Sequence, residues 1–383
     1  MKSISLFSGA MGLDLGLEQA GIQTALAQDC DIWCCRTARA NGRRILEGDI
    51  RDFSPEDVLR KAGMERGEPF LVCGGPPCQP FSTAGRQKGI ADPRGTLFRE
   101  FARMVAGIRP RFFLMENVAG LANRRIWMES GEKGQTVLEI VLSELQGLGY
   151  RTVHGILNAV DYGTPQFRER LIIMGSRDGE DIFLPMPTHF QMHQNAGCRW
   201  RTLRDAIGDL EDLPADCAKL SESRLAVMKL VPEGGNWRDL PPDVQRQAMK
   251  GTLDAGGGRT GCFRRLSYSE PCPTLTTSPG QKTTMLFHPS RDRVLSVEEY
   301  ARVQEFPAGW IIEGKTAERY RQIGNAVPVG LGRACGEALV SAAQGTAKIA
   351  CRRDRKKFKK VLDAQPCLWQ KGLAKGNGSQ GKA

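Results

Sequence analysis

Residues 1–21 read MKSISLFSGAMGLDLGLEQAG. The apolar run SISLF, the turn residues Ser8, Gly9 and Gly12, and the periodic stretch LDLGLEQAG have the spacing of a buried strand, a glycine turn and a helix. Gly9 and Gly12 allow a tight turn close to a ligand, as in the dinucleotide fingerprint. No GxxxxGK motif accompanies the turn, so a nucleoside without a polyphosphate suits it better than ATP. Lys2 followed by apolar residues imitates a secretory leader, but Asp14 and Glu18 break the run.

Beyond this unit the alternation continues. TALAQD (24–29), FLVCGG (70–75), RFFLMEN (111–117) and RLIIMG (170–175) read as strands, and TLFREFARMVAGI (96–108) and QTVLEIVLSELQGLG (135–149) as amphipathic helices. The pattern predicts an α/β fold with a doubly wound, mostly parallel sheet. From about Pro187 it gives way to pieces rich in Gly, Pro and charge, such as VPEGGNWRDLPPD (231–243) and DAGGGRTGCFRRLSYSEPCPT (254–274). These predict a second, smaller, irregular domain with few helices. A helical segment from Val297 and the stretch GNAVPVGLGRACGEALVSA (324–342) then return to the first pattern, and the last helix is expected to pack back on the first domain. The expected division is 1–187, 188–291, 292–347 and a basic, disordered tail, 348–383.

Composition narrows the class. In 383 residues, 40% hydrophobic, no long uncharged apolar run offers a membrane span. Twelve cysteines are scattered, and the cluster Cys30, Cys34 and Cys35 lacks a second pair at zinc spacing, which points to reduced thiols of a cytoplasmic protein without a metal. The net charge is +11, but nine of those charges fall after residue 347. RRDRKKFKK (352–360) reads either as a patch for nucleic-acid phosphate or as a solvated end.

Cys78 lies in GGPPCQPFSTAGRQKG (74–89), just beyond a strand and between a Pro-Pro turn and a Gln-Pro step. Strand ends are the ligand edge of open α/β sheets, and a thiol becomes a nucleophile there when cations such as Arg86 and Lys88 lower its pKa. An isolated cysteine would more simply be a small hydrophobe.

Its company decides between these readings. FSGAMG (7–12), GDI (48–50), PPCQPFS around Cys78, PRGTLF (93–98), ENV (116–118), NAVDYGTPQFRER (158–170) and RQIGNAVPVG (321–330) occur in one order and bracket one long variable segment. In this the chain resembles the prokaryotic DNA (cytosine-5)-methyltransferases along almost its whole length. The resemblance implies a Rossmann-like methyltransferase fold, S-adenosylmethionine as cofactor and methyl transfer to carbon 5 of a flipped-out cytosine in a specific duplex DNA sequence. It also implies a monomer, nucleoid-associated in the cytoplasm, with a cognate restriction endonuclease as a possible partner in modification.

The resemblance assigns residues as well. Cys78 would add to carbon 6 of the base, Glu116 would donate a proton to ring nitrogen 3, and Arg168 and Arg170, on one face if extended, would hold the base oxygen and order Glu116. The cofactor would lie with Phe7 near the adenine, Asp29 on the ribose, Asp49 and Ile50 at the adenine, and Leu97, Asn325 and Val327 completing the pocket, beside Gly9, Gly12, Cys30 and Pro76. Two departures stand out: Met11 replaces a glycine of the family's turn, and Cys30 a larger hydrophobic residue. DNA contacts are assigned to Gln79, Ser82, Arg259, Arg264 and Arg265, and target recognition to Thr188–Arg291. A transfer-RNA cytosine methyltransferase shares these motifs; an inactive DNA-binding relative should have lost Cys78, Glu116 or the arginines, and a cysteine hydrolase would need a histidine partner that His154, His189, His193 and His288 do not supply by motif context.

Overall fold

The computed structural model describes residues 1–77, 97–127, 133–191, 198–210, 216–249, 261–281 and 283–346. Cys78, Gln79, Ser82, Arg259 and the basic tail lie outside them.

The central sheet contains β1 (Lys2–Leu6), β2 (Gln23–Asp29), β3 (Ile45–Glu47), β4 (Leu71–Gly74) and β5 (Phe112–Val118). A short ribbon of β6 (Arg125–Trp127) and β7 (Lys133–Thr136) precedes its last two strands, β8 (Arg151–Asn158) and β9 (Glu169–Ser176). The order is β3-β2-β1-β4-β5-β9-β8. The first five strands are parallel, whereas β9 runs antiparallel to both β5 and β8. The chain winds outward from β1 to β3, then crosses back to β4 and winds the other way, so connections diverge between β1 and β4. That divergence opens a crevice at the carboxyl ends of the strands.

Both faces are covered. Ile4, Leu6, Val72, Phe113 and Met115 pack under α3 (Pro55–Ala62), α4 (Leu97–Ile108) and α5 (Val137–Gly147), while Leu71, Cys73, Phe112, Leu114 and Ile172 pack under α1 (Gly12–Gln19) and α11 (Val329–Ala343). Strands buried on both sides need apolar residues at every position, which is why FLVCGG and RFFLMEN were readable. α2 (Ile32–Ala40), α3, β3 and β8 were not read from the sequence. α3 had a signal, a capping box of Ser54 and Asp57 with Pro55 in its first turn. β8 is an edge strand, mostly half exposed, and its apolar pattern is correspondingly weak.

The irregular region contains α6 (Leu203–Ile207), α7 (Glu222–Lys229) and α8 (Pro242–Met249), with a pair of two-residue strands, β10 (His189–Phe190) and β11 (Cys198–Arg199), ahead of them. Met228, Trp237, Met249, Phe263, Met285, Phe287 and Val294 form its own small core. Leu203, Ile207, Leu266 and Leu275 instead join α9 (Val297–Val303) and α10 (Thr316–Asn325) through Tyr300, Tyr320 and Ile323.

Arg265 requires a correction. Expected at DNA, it is 6% exposed; its Nε donates to the Val231 carbonyl at 2.7 Å, and its Nη2 to the Met228 carbonyl at 2.9 Å and to Asp292 at 3.0 Å. Its guanidinium also lies over the Phe287 ring. Carbonyls in a segment with little helix or sheet need donors, and one planar fork supplies several. Arg264 is half buried, with its carbonyl accepting the Phe287 N–H.

Candidate active site

Four segments meet at the carboxyl edge of the sheet. β5 ends in Glu116, Asn117 and Val118; β4 delivers the turn 74–77; β9 begins beside them; and the end of α10 closes the far side. Glu116 is 8% exposed and accepts a hydrogen bond from Arg170 Nε at 2.7 Å. Arg170 reaches it because β9 pairs antiparallel with β5, with Arg170 opposite Val118. Gly75 leaves room for the carboxylate, since a Cβ there would stand 2.7 Å from Glu116 Oε2. Burial pushes the Glu116 carboxyl above its ordinary range, against the pull of Arg170 and Arg168. Asn117, which the sequence reading passed over although it lies inside the ENV motif, donates through Nδ2 to the Pro76 carbonyl at 2.9 Å and so fixes the turn leading to residue 78.

The two arginines do not share one job. Arg168 lies just ahead of β9 and is 1% exposed; its Nη1 donates to the Leu275 carbonyl at 2.9 Å and its Nη2 to the Gly324 carbonyl at 2.7 Å. It binds the irregular region to α10, while among the described residues Arg170 is the one hydrogen-bonded to Glu116.

On the cofactor side, Phe7, Gly9 and Met11 all have positive φ, 54°, 55° and 70°. The Gly9 N–H donates to Asp29 Oδ2 at 2.7 Å and the Asp31 N–H to Asp29 Oδ1 at 2.8 Å, so Asp29, besides lining the cleft, holds the glycine turn. Burial raises its pKa. Met11 tolerates a left-handed backbone, at a cost of roughly 1–2 kcal/mol, because its side chain is buried against Ala27, Ala38 and Trp310. Asp31 pairs with Arg321, a partnership between α2 and α10 that the sequence did not disclose.

The resulting cleft has a volume of about 520 Å³ and is lined by Phe7, Gly9, Asp29, Cys30, Pro76, Asn325 and Val327 among the expected cofactor residues, and by Glu116, Arg168 and Arg170. Pro77, the residue before Cys78, is part of the same wall. Four expected residues fall outside it. Gly12 is pressed on the Val327 carbonyl, Ile50 belongs to the core, Leu97 packs against that core, and Asp49 caps its own turn while pairing with Arg51. The lining fits S-adenosylmethionine. Gly9 has open space where a Cβ would be, and Asp29 lines the cleft at the end of β2, where an acidic side chain accepts from ribose hydroxyls.

Six of the described thiols are made poorer nucleophiles by their surroundings. Burial, as the first cause, pushes up the pKa values of Cys30, Cys34, Cys35, Cys73, Cys272 and Cys335. A second, more open hollow of about 670 Å³ lies between α6 and α9, but Arg201 pairs there with Glu305 and Arg302 with Asp209, Arg204 lies over the Tyr268 ring, Asp205 accepts from Thr202, and it contains no residue of the cleft. Among the described residues no helix is long and apolar enough to cross a membrane.

Known proteins are similar to this chain in sequence and in fold. The chain is 40% identical over 349 residues to the type II methyltransferase M.Eco47II of Escherichia coli, covering 88% of this chain and 78% of that one. It is 41% identical over 347 residues to the type II methyltransferase M.PspPI of a Psychrobacter species, with the same coverage of each. A DNA modification methyltransferase encoded within an E. coli prophage has the same fold, with a TM-score of 0.64 at 23% identity over 90% of this chain and 99% of that one. A sequence model of the C-5 cytosine-specific DNA methylases matches residues 1–341. With the doubly wound sheet, the buried Glu116–Arg170 pair and the cleft that both line in place, the chain belongs to the C-5 cytosine-specific DNA methylase family, whose members transfer a methyl group from S-adenosylmethionine to cytosine in DNA.

Proposed function

We propose that Cys78, Glu116 and Arg170 carry out the chemistry of this cytosine-5 methyltransferase, on a cytosine flipped out of duplex DNA. One observation supports the assignment: Pro77, Glu116 and Arg170 line the same cleft as Phe7, Asp29 and Asn325. The Cys78 thiolate adds to carbon 6 of the cytosine while Glu116 gives a proton to ring nitrogen 3, which makes carbon 5 electron-rich. S-adenosylmethionine, which Phe7, Asp29 and Asn325 would hold, would supply an electrophilic methyl group for carbon 5. A base removes the carbon 5 proton, the thiolate is expelled, the 5,6 double bond returns, and ring nitrogen 3 gives its proton back to Glu116. Arg170 keeps Glu116 aimed at the ring throughout, and Asp29 holds the glycine turn against the cofactor.

A base inside a stacked duplex is out of reach of this cleft, so extrusion is required. Residues 1–187 and 292–347 form the catalytic and cofactor-binding part in this reading, and 188–291 the target-recognition part, with Arg264 as a DNA contact. The relatives' designation as type II methyltransferases supports a role in modification beside an endonuclease of the same specificity. A monomer in the cytoplasm is the working form in this reading.

Duplex carrying 5-fluorocytosine at the target blocks the final elimination. It should trap a covalent complex whose digestion and mass spectrometry place the adduct on Cys78, and Cys78→Ala should abolish trapping and turnover while retaining cofactor binding. An adduct on another cysteine, or turnover by the alanine variant, overturns the assignment.

A further inference from the structure

Arg168 is one member of a closed ring of buried polar contacts. The Gln166 side-chain carbonyl accepts the Leu275 N–H at 2.9 Å, and its Nε2 donates to Gln304 Oε1 at 3.0 Å. Gln304 Nε2 in turn donates to the carbonyls of Ile323, at 2.7 Å, and Ala326, at 3.1 Å. Arg168 closes the ring, from Gly324 back to the carbonyl of that same Leu275. Both glutamines are fully buried. Their amide orientations are dictated: Leu275 presents a donor and Ile323 and Ala326 present acceptors, so only one sense of the relay satisfies every group.

Four segments are clasped by this ring: 166–168 ahead of β9, Leu275 from the irregular region, Gln304 after α9, and the last turn of α10 with the residues just beyond it. Asn325, Ala326 and Val327 on that last segment line the cofactor side of the cleft, while Arg168 and Arg170 line the base side. We propose that Gln166 and Gln304 are positioning residues that hold the cofactor wall and the arginine-bearing strand in one fixed relation, so that neither half of the cleft can shift without the other. Leu275, held at both its N–H and its carbonyl, brings the irregular region into the same lock. The inference rests on the reading that Arg170 and Glu116 act on the base.

Gln304→Glu tests it. A carboxylate keeps the shape but cannot donate to the Ile323 and Ala326 carbonyls, so the cofactor wall loses its clasp. S-adenosylhomocysteine affinity, measured by calorimetry without DNA, should fall about tenfold, and the single-turnover rate at saturating cofactor and DNA should also fall at least tenfold. Circular dichroism and thermal unfolding report whether the variant is folded. Should it fail to fold, Gln166→Glu takes its place, since it keeps the acceptor for Leu275 and, when ionised, loses only the donor to Gln304. Lowering the pH to protonate the introduced carboxylate restores that donor, so the single-turnover rate of this variant relative to wild type should recover toward acid. A folded Gln304→Glu with unchanged affinity and rate, or a Gln166→Glu whose deficit is the same at every pH, refutes the positioning role. Arg170→Ala separates the two readings: if it retains the wild-type rate the base-site assignment fails, whereas a large loss there beside wild-type behaviour of the glutamine variants overturns only the inference.

Discussion

A carboxyl that delivers a proton near neutral pH has to hold one, and at Glu116 burial favours the protonated form while Arg170 opposes it and fixes the geometry. Glu116→Gln keeps the shape and an acceptor for Arg170 Nε but has no proton of the required acidity. Its single-turnover rate should fall roughly 10²-fold or more with cofactor affinity unchanged; an unaltered rate in rapid-quench assays would make Glu116 structural. Asp14, on the buried side of α1, is a different case. It is 1% exposed, accepts from Thr24 Oγ1 at 3.0 Å, and burial raises its pKa from 3.8 to about 6. The native state therefore holds a proton that the unfolded chain releases between pH 4 and 6, so this carboxyl lowers stability as pH rises through that window and exacts its full penalty above it. Asp14→Asn should raise stability by roughly 1–3 kcal/mol at pH 8, with the gain shrinking toward pH 4. Urea midpoints across that range decide it, and a gain independent of pH would contradict the cause.

At the level of elements, the contact of α1 with α11 sets the cofactor turn, because α1 begins where the turn ends. Gly16 permits it: a methyl there would run into the Val329 carbonyl and the Arg333 N–H of the neighbouring helix. Gly16→Ala should cost about 3 kcal/mol and weaken cofactor binding as α1 is pushed from its seat. Gly147, in the last turn of α5, has nothing within 4 Å of the added methyl, so Gly147→Ala should be neutral or stabilising by up to about 1 kcal/mol. Thermal unfolding of the pair distinguishes close packing from helix propensity. Equal shifts would show that the α1–α11 approach is not the constraint described. The sequence displayed glycines at 12, 16, 332 and 336, but which of them face another helix depends on contacts more than 300 residues apart in the chain.

For the whole molecule, the irregular region has its own small core, yet it is anchored to the sheet body at Leu203–Ile207 and through Leu275. Exchanging residues 188–291 with those of a relative of different specificity should transfer the recognised DNA site if the Gln166–Leu275 contact is preserved, as mapped by protection from restriction or by bisulfite sequencing. A folded, active hybrid that kept its original site would place recognition elsewhere. Much of this architecture was legible because its signals are local. Buried parallel strands are apolar throughout, the glycine turn follows β1 directly, and Pro76, Pro77 and ENV lie at the carboxyl ends of β4 and β5, so their placement at one edge followed from the alternation of strands and helices. RER starts β9 and meets that edge only because β9 runs antiparallel to β5, which the alternation did not show. Local order could not show that Arg265 turns inward to serve carbonyls of its own region, that Asp49 pairs with Arg51 while Ile50 joins the core, or that Arg168 and Arg170, two residues apart, serve different partners. Side-chain direction at those positions is chosen by whichever unpaired backbone group or charge the fold brings near. The sequence by itself determined the α/β class, five of the sheet's seven strands, the order of the motifs and, through the resemblance, the reaction class; the tertiary structure alone decided which polar groups face the cleft and which are spent holding it together, because burial makes every unpaired polar atom costly and only packing says which partner is within reach.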